Sequence, residues 1–193
     1  MRITTRYLLK RYEETVKKLN EKKDNEIWVT ELVQCKLKSV YAKEYPIAIS
    51  DNLSLLIGEL VHRGFLEWLA KELNAKIEVE VQRQYRDFVI KGRIDALTDD
   101  CVYEVKYMKE HLGDEPLEHH VRQLRLYMWM VDVQHGKLIY ITNNRFCEYD
   151  VDRPIVDSDV EVLLHTWDAP RYDWECKYCP YAFICEKARI PKR

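Results

Sequence analysis

Gly92-Arg93-Ile94-Asp95-Ala96-Leu97-Thr98-Asp99-Asp100-Cys101-Val102-Tyr103-Glu104-Val105-Lys106 alternates in side-chain character on either side of an Asp-Asp pair, as two strands joined by a tight turn do. With Asp99-Asp100 as a two-residue hairpin loop, Asp95 falls opposite Glu104. Period two places Glu104 and Lys106 on one face of their strand and Tyr103, Val105 and Tyr107 on the other. Two carboxylates facing each other repel unless something cationic lies between them. A hard divalent ion such as Mg²⁺ or Mn²⁺ fits, because it takes oxygen ligands and keeps waters for substrate chemistry. Lys106 is then placed to orient or deprotonate an attacking water. The competing reading is a surface Glu104–Lys106 pair with Asp95 capping the turn.

The same period-two pattern extends outward. Lys76 to Val81, Tyr85 to Ile90, Arg93 to Thr98 and Cys101 to Tyr107 read as four consecutive strands. Upstream, helices are expected from about Arg6 to Asn20, from Glu31 to about Ala42 behind an N-cap at Thr30, and from Ser50 to Leu73. The last of these carries Leu53, Leu56, Ile57, Leu60, Val61, Phe65 and Leu69 at helical spacing. Downstream come a helix from about Leu117 to Val133, strands at Lys137 to Thr142 and Phe146 to Asp152, and a helix from Asp157 to Thr166. This order predicts an α/β fold with a mixed central sheet flanked by helices. The crossover from the Cys101 strand over the Leu117 helix to the Lys137 strand should be parallel and right-handed.

Composition excludes several classes. The 193 residues carry 31 Lys plus Arg, 33 Asp plus Glu and a formal net charge of −2. At 47% apolar and 33% charged, the chain is too apolar for disorder and too charged for a membrane protein. Its purely apolar runs, such as Trp68-Leu69-Ala70, are too short for a transmembrane helix. The opening Met1-Arg2-Ile3-Thr4-Thr5-Arg6 has no apolar h-region, so no signal peptide and a cytoplasmic setting are expected. Charge distribution still allows a nucleic-acid surface. Basic residues gather at Lys17-Lys18, Lys22-Lys23, Lys36-Leu37-Lys38 and from Lys187 to Arg193, acidic ones between Glu148 and Asp159.

Three further groups bear on chemistry. His62 lies on the helix before the sheet and is placed to give a nitrogen ligand to the same metal, although a lone helical His is more often structural. Gln123 and Tyr127, one helical turn apart, share a face that would meet bound substrate; a core Tyr is the blander account. Finally, in a reducing compartment six Cys point to metal ligation rather than disulfides. Cys176-Lys177-Tyr178-Cys179 has the spacer that lets two thiolates grip one centre, Pro180 follows, and Cys185 supplies a third ligand. Cys35 is the best fourth, whereas Cys101 and Cys147 read as small buried hydrophobes. Spacing leaves zinc and an iron–sulfur cluster both open. The distant fourth ligand and the aromatics around it (Trp167, Tyr172, Trp174, Tyr178, Tyr181, Phe183), able to exclude solvent, favour the cluster.

Taken together these residues resemble the RecB-like nucleases of the PD-(D/E)XK superfamily, and more narrowly the CRISPR-associated iron–sulfur exonucleases, the Cas family numbered four. The resemblance spans nearly the whole chain: Cys35, Gly58 to Gly64 with His62, Gly92-Arg93-Ile94-Asp95, Glu104-Val105-Lys106, Gln123 to Tyr127, and Cys176, Cys179 and Cys185. No Pro precedes Asp95, but RecB-like members often show G-x-x-D there. The resemblance implies a restriction-endonuclease-like (RecB-type) core over about 50–155 within a single 1–193 domain. An iron–sulfur region formed by about 28–43 and 167–193 would join the N- and C-terminal segments. It also implies that His62, Asp95, Glu104 and the carbonyl of Val105 hold Mn²⁺ or Mg²⁺. Lys106 is then the catalytic lysine, Gln123 and Tyr127 contact DNA, and Cys35, Cys176, Cys179 and Cys185 bind 4Fe–4S or less often 2Fe–2S. The implied activity is exonucleolytic cleavage of single-stranded DNA, or DNA with single-stranded overhangs, that prepares CRISPR spacers alongside the integrase proteins. Two rivals remain from the residues alone: a repair or viral recombination nuclease, and a non-catalytic DNA-binding adaptor, against which the intact Asp95, Glu104 and Lys106 argue.

Overall fold

The computed structural model describes residues 2–46, 53–111, 113–166 and 168–189, with the side chains of all of these but 4 and 53–55. The chain divides into two units, one of residues 27–33 and 52–165 and the other of residues 1–26, 34–51 and 166–193.

The first unit is built on the sheet. Its strands are β1 (Glu26–Trp28, whose last two residues belong here), β2 (Lys76–Tyr85), β3 (Phe88–Leu97), β4 (Cys101–Tyr107), β5 (His135–Ile141) and β6 (Phe146–Asp152). The order is β1-β3-β4-β5-β6, with β2 pairing β3 from outside that path. The β4–β5 pair is parallel and the β2–β3, β3–β4 and β5–β6 pairs are antiparallel, so the expected mixed sheet is present. Helix α4 (Leu53–Leu73) covers one face. Its Leu66 and Leu69 pack with Ala75, Ala96, Cys101, Tyr103, Val105, Ile139 and Ile141. Ser50 to Asn52, where the sequence places the start of this helix, lie outside the described residues. On the other face, α2 (Val29–Val33), α5 (Glu118–Val131) and α6 (Asp157–His165) bury Leu32, Leu124, Met128 and Leu163 against Ile90, Ile94, Val102, Leu138 and Tyr140.

The strand reading needs one correction. Three strands, not four, fill 76–107, because the chain reverses at Arg86-Asp87 instead of between Val81 and Tyr85 and again near Gly92. Arg86 adopts the left-handed conformation (φ 51°) that a tight hairpin demands, and nothing in a non-glycine residue announces it. Gly92 lies inside β3 because α5 comes too close there for a side chain: a Cβ would sit 2.4 Å from a ring carbon of Tyr127.

A second departure sets up the site. Ile77 and Ala96 are register partners and both pack beneath α4; Val79 and Ile94 are partners too, yet both pack towards α5. Strict alternation would keep each strand's odd or even residues on one face. Between them stands Glu78 at φ 50°, so both strands change face at the level of Glu78 and Asp95.

In the second unit, α1 (Ile3–Glu21) precedes α3 (Lys36–Glu44), and the tail carries the short α7 (Glu175–Tyr178). The single helix expected from Glu31 to Ala42 is in fact α2 and α3, and Thr30 lies inside α2, not at its cap. The break falls at Gln34-Cys35, where Cys35 takes an extended ψ of 119° and becomes the N-cap residue of α3.

Two glycines give opposite expectations. Gly92→Ala should lower stability by about 1–3 kcal/mol through overpacking against Tyr127. Gly64, inside α4 with nothing within 4 Å of a built Cβ, should gain about 0.5–1 kcal/mol on conversion to Ala. Denaturant melts of both variants check the pair, and equal effects would contradict the packing described.

Candidate active site

The β3–β4 hairpin has the register its sequence specifies, Ala96 opposite Tyr103 and Leu97 opposite Val102. The turn is closed by the Thr98 amide donating to the Cys101 carbonyl at 3.0 Å and the Cys101 amide donating to Thr98 Oγ1 at 3.1 Å. Described pairing between the two strands stops there, one step short of Asp95 and Glu104. In its place the Val105 amide donates to Asp95 Oδ2 at 2.8 Å. A side chain has entered where a backbone carbonyl would have been, and the strands part around it.

The charged groups converge at this opening. His62 Nε2 of α4 lies 3.1 Å from Asp95 Oδ2. Glu104 faces α5 and is only 1% exposed, which rules out the surface pair. Its Oε1 is in contact with the Lys106 ammonium and accepts from Gln123 Nε2 at 2.9 Å. Its Oε2 is buried with no hydrogen-bond partner. Gln123 also approaches the Tyr127 hydroxyl at 3.4 Å, and both residues are buried. His62, Asp95, Glu104, Lys106, Gln123 and Tyr127 are therefore brought to one place, the first two across the parted strands from α5.

Electrostatics follow from the crowding. Burial, and then the neighbouring Asp95 carboxylate, push Glu104 up to about 7. Burial pulls Lys106 down, but Glu104 and Asp95 outweigh it, so Lys106 is held above the ordinary lysine value. As an ammonium, Lys106 donates hydrogen bonds and orients its partners. Burial and the Glu104 charge also raise Tyr127, which keeps its phenol proton.

A divalent cation fits this donor set. A buried carboxylate oxygen without a partner is costly, and the facing carboxylates leave negative charge that Lys106 alone does not neutralise. Among the described residues no group of three or more His, Cys, Asp or Glu side chains is placed to hold a metal ion, so neither His62, Asp95 and Glu104 nor the four cysteines form a ready-made ligand shell.

The cysteines sort into two sets, and all six are free thiols. Cys35, Cys176, Cys179 and Cys185 line one cavity of about 190 Å³ in the second unit, together with Gln34, Tyr41, Trp174 and Glu175. Cys101 and Cys147 instead pack with the two apolar clusters of the sheet. Burial raises the Cys35 thiol pKa, while the amides of Lys38 and Leu37 at the start of α3 work the other way. Four thiols on one cavity suit a soft or borderline metal centre. The expected aromatic shield is only partial: Tyr181 is buried, but Trp174, Tyr178 and Phe183 are exposed, and Trp167 lies outside the described residues.

Sequence reading passed over two groups, the buried Glu175 and the half-buried His120. Glu175, directly before Cys176, accepts three backbone amides; its one signal was an acidic residue beside a ligand candidate. His120 Nδ1 lies 2.9 Å from the Tyr140 hydroxyl, which also accepts the Leu117 amide at 2.9 Å. No local pattern marks His120.

The mixed sheet, its flanking helices and the paired acidic residues at the β3–β4 opening define a RecB-like nuclease. An alkaline exonuclease from Laribacter hongkongensis shares the fold with a TM-score of 0.53 at 10% identity, over 72% of this chain and 82% of that one. The crystal structure of SSO0001 is far nearer, with a TM-score of 0.86 and 35% identity over 96% of each chain. The CRISPR-associated exonuclease Cas4 of Saccharolobus solfataricus is 35% identical over 202 residues, covering 94% of this chain and 96% of the relative. No family model matches. This chain belongs to the Cas4 family of CRISPR-associated exonucleases.

One pH dependence follows. Burial, and then the Lys106 charge, hold His120 down at about 2, against 6.5 for an ordinary His. The unfolded chain binds this proton below about pH 6.5 and the folded chain does not. The stability His120 contributes is thus complete above 6.5 and is lost as pH falls, at up to about 1.4 kcal/mol per pH unit. His120→Asn should flatten that acid limb, which urea melts of both proteins at stepped pH will show; parallel limbs would mean that His120 titrates freely in the native state.

Proposed function

We propose that the chain is a metal-dependent DNA exonuclease that acts on single-stranded DNA or single-stranded overhangs and trims DNA for CRISPR spacer acquisition, in company with the integrase proteins. The observation that carries the nuclease reading is Glu104, buried beside a second acidic residue with one oxygen held by Lys106 and Gln123 and the other bare. His62, Asp95, Glu104 and the Val105 carbonyl would hold Mg²⁺ or Mn²⁺. Such an ion supplies charge neutralisation and Lewis-acid polarisation of a phosphodiester. Gln123 fixes the rotamer of Glu104 through its 2.9 Å hydrogen bond, and with Tyr127 it would meet the DNA phosphate beside that carboxylate. Lys106 donates to the attacking water and sets its direction, and its positive charge favours the developing phosphorane oxygens. The Asp95–Val105 hydrogen bond holds the strands apart so that these groups face one another.

Cys35, Cys176, Cys179 and Cys185 would hold an iron–sulfur cluster, 4Fe–4S in preference to 2Fe–2S, with zinc as the alternative. A centre of that kind supplies a crosslink between chain segments. The second unit needs one: Pro170, Cys176 and Tyr181 are the buried apolar residues it offers among those described. The CRISPR role rests on the name borne by the Saccharolobus relative.

Anaerobic purification, a visible spectrum, and digestion of end-labelled single-stranded DNA with and without Mn²⁺ test this reading together. Asp95→Ala, Glu104→Ala and Lys106→Ala should each cut at least about a hundred-fold more slowly with the fold retained. His62→Ala should lose most at limiting Mn²⁺ and recover in part at high Mn²⁺. Wild-type rates in any of the first three would undo the site assignment, and an unchanged Mn²⁺ dependence would return His62 to a structural role.

The cysteine assignment has its own test. Closing a loop from Cys35 to the tail is worth on the order of several kcal/mol in chain-entropy models. Cys35→Ala should therefore be nearly as damaging to solubility and colour as Cys179→Ala, while Cys101→Ser and Cys147→Ser keep both. Iron and zinc per chain decide. Iron lost from Cys101→Ser but retained in Cys35→Ala would mean a misassigned fourth ligand, and stoichiometric zinc without iron would replace the cluster.

A further inference from the structure

Glu175 is 8% exposed and spends both carboxylate oxygens on backbone amides. Oε1 accepts the Cys35 amide at 2.8 Å across 140 residues of sequence. Oε2 accepts the Arg171 amide at 2.7 Å and the Tyr172 amide at 3.0 Å. The same residue's amide donates to the Tyr172 carbonyl at 3.1 Å, so Glu175 and the turn before it form one closed ring of hydrogen bonds. Cys176 follows directly, and Glu175 itself lines the cavity that the four thiols share. A buried carboxylate taking amides from two distant segments joins them with charge-assisted bonds, and water competes poorly for groups so enclosed.

Cys35 needs such a hold. It sits at the break between α2 and α3, where its extended backbone leaves its own amide outside any helix. Without the carboxylate that amide would be unsatisfied and the break free to rotate, carrying the thiol with it.

We propose that Glu175 is a positioning residue for the cysteine centre: by accepting the Cys35 amide with one oxygen and the Arg171 and Tyr172 amides with the other, it fixes the Cys35 thiol against the Cys176–Cys185 tail. This rests on the reading of the four cysteines as ligands of one centre. The expected signature is local. Losing the clasp loosens one ligand of four, so the centre becomes labile while the sheet unit and its chemistry stay as they are.

The full chain, purified anaerobically, is compared as wild type, Glu175→Ala and Glu175→Gln. Two readouts are taken: amide hydrogen exchange resolved at Cys35, Arg171 and Tyr172, and the rate at which an iron chelator bleaches the visible absorbance. Glu175→Ala should exchange at Cys35 at least ten-fold faster, and bleach at least ten-fold faster, with exchange in α5 unchanged. Glu175→Gln, which keeps one acceptor oxygen, should fall between, and it carries the test if the alanine variant does not fold. Wild-type exchange at Cys35 together with wild-type bleaching in both variants would overturn the proposal. Accelerated exchange over the whole chain would also overturn it, by making Glu175 a general fold residue. A wild-type protein without bound metal defeats the reading of the cysteines instead, and exchange at Cys35 still decides whether Glu175 holds it.

Discussion

A single misplaced hydrogen bond organises the sheet unit. The Val105 amide donates to the Asp95 side chain, where a regular antiparallel pair would have given it a backbone carbonyl. That substitution ends the β3–β4 ladder at Ala96 and Tyr103 and opens the sheet at one level. His62 comes from the α4 side and Gln123 from the α5 side, so groups from opposite faces meet only because the sheet is parted there. An unbroken ladder would have kept the two helices' side chains in separate compartments. The left-handed Glu78 on the neighbouring strand is the second half of the same distortion, since β2 and β3 change face together. The register runs through unchanged, Ile77 opposite Ala96 and Val79 opposite Ile94, so no residue is inserted; the local distortion costs pairing and in return re-aims side chains.

What was legible in the sequence was what local periodicity and turn chemistry control. The hairpin at Asp99-Asp100 and the parallel β4–β5 crossover both follow from patterns within a few residues of each other. The misreadings have a common physical origin in backbone states that side-chain identity does not advertise. Arg86 turns the chain at φ 51° without a glycine, and Gly92, which reads as punctuation, is a packing gap for Tyr127. The break at Cys35 went unseen because it is held by Glu175, 140 residues away. Likewise the carboxylate–lysine set could be named from its spacing, but burial of Glu104 and its bare oxygen belong to tertiary structure.

Placing Glu104 in the interior has a cost that the surrounding groups share out. Gln123 and Lys106 both spend hydrogen-bonding capacity on the same oxygen, which fixes the carboxyl plane and leaves the second oxygen aimed away from them. Such a group is poorly suited to stability, since replacing buried ionic sets with apolar ones is often neutral or better. Its retention makes sense where the charge itself is used, which is the argument for chemistry at this opening rather than for a binding surface alone.

The two units solve the problem of stability by different means. The sheet unit buries Leu66, Leu124, Leu126, Met128, Ile90, Ile94 and Leu138 on its two faces, enough apolar surface for a self-supporting core. The cysteine unit has no equivalent. Its buried groups among the described residues are Glu26, Pro170, Glu175, Cys176 and Tyr181, and three of these five are polar or metal-binding types. Tyr181 stacks on Tyr41 and donates to the Tyr45 carbonyl at 3.1 Å, a second tie between α3 and the tail beside the Glu175–Cys35 hydrogen bond. A unit of this kind must draw its order from links rather than from burial. Hydrogen-bonded clasps such as Glu175 supply part of that order, and a centre held by four thiolates would supply the rest, so loss of the centre should be felt first as unfolding of this unit and only afterwards as loss of activity.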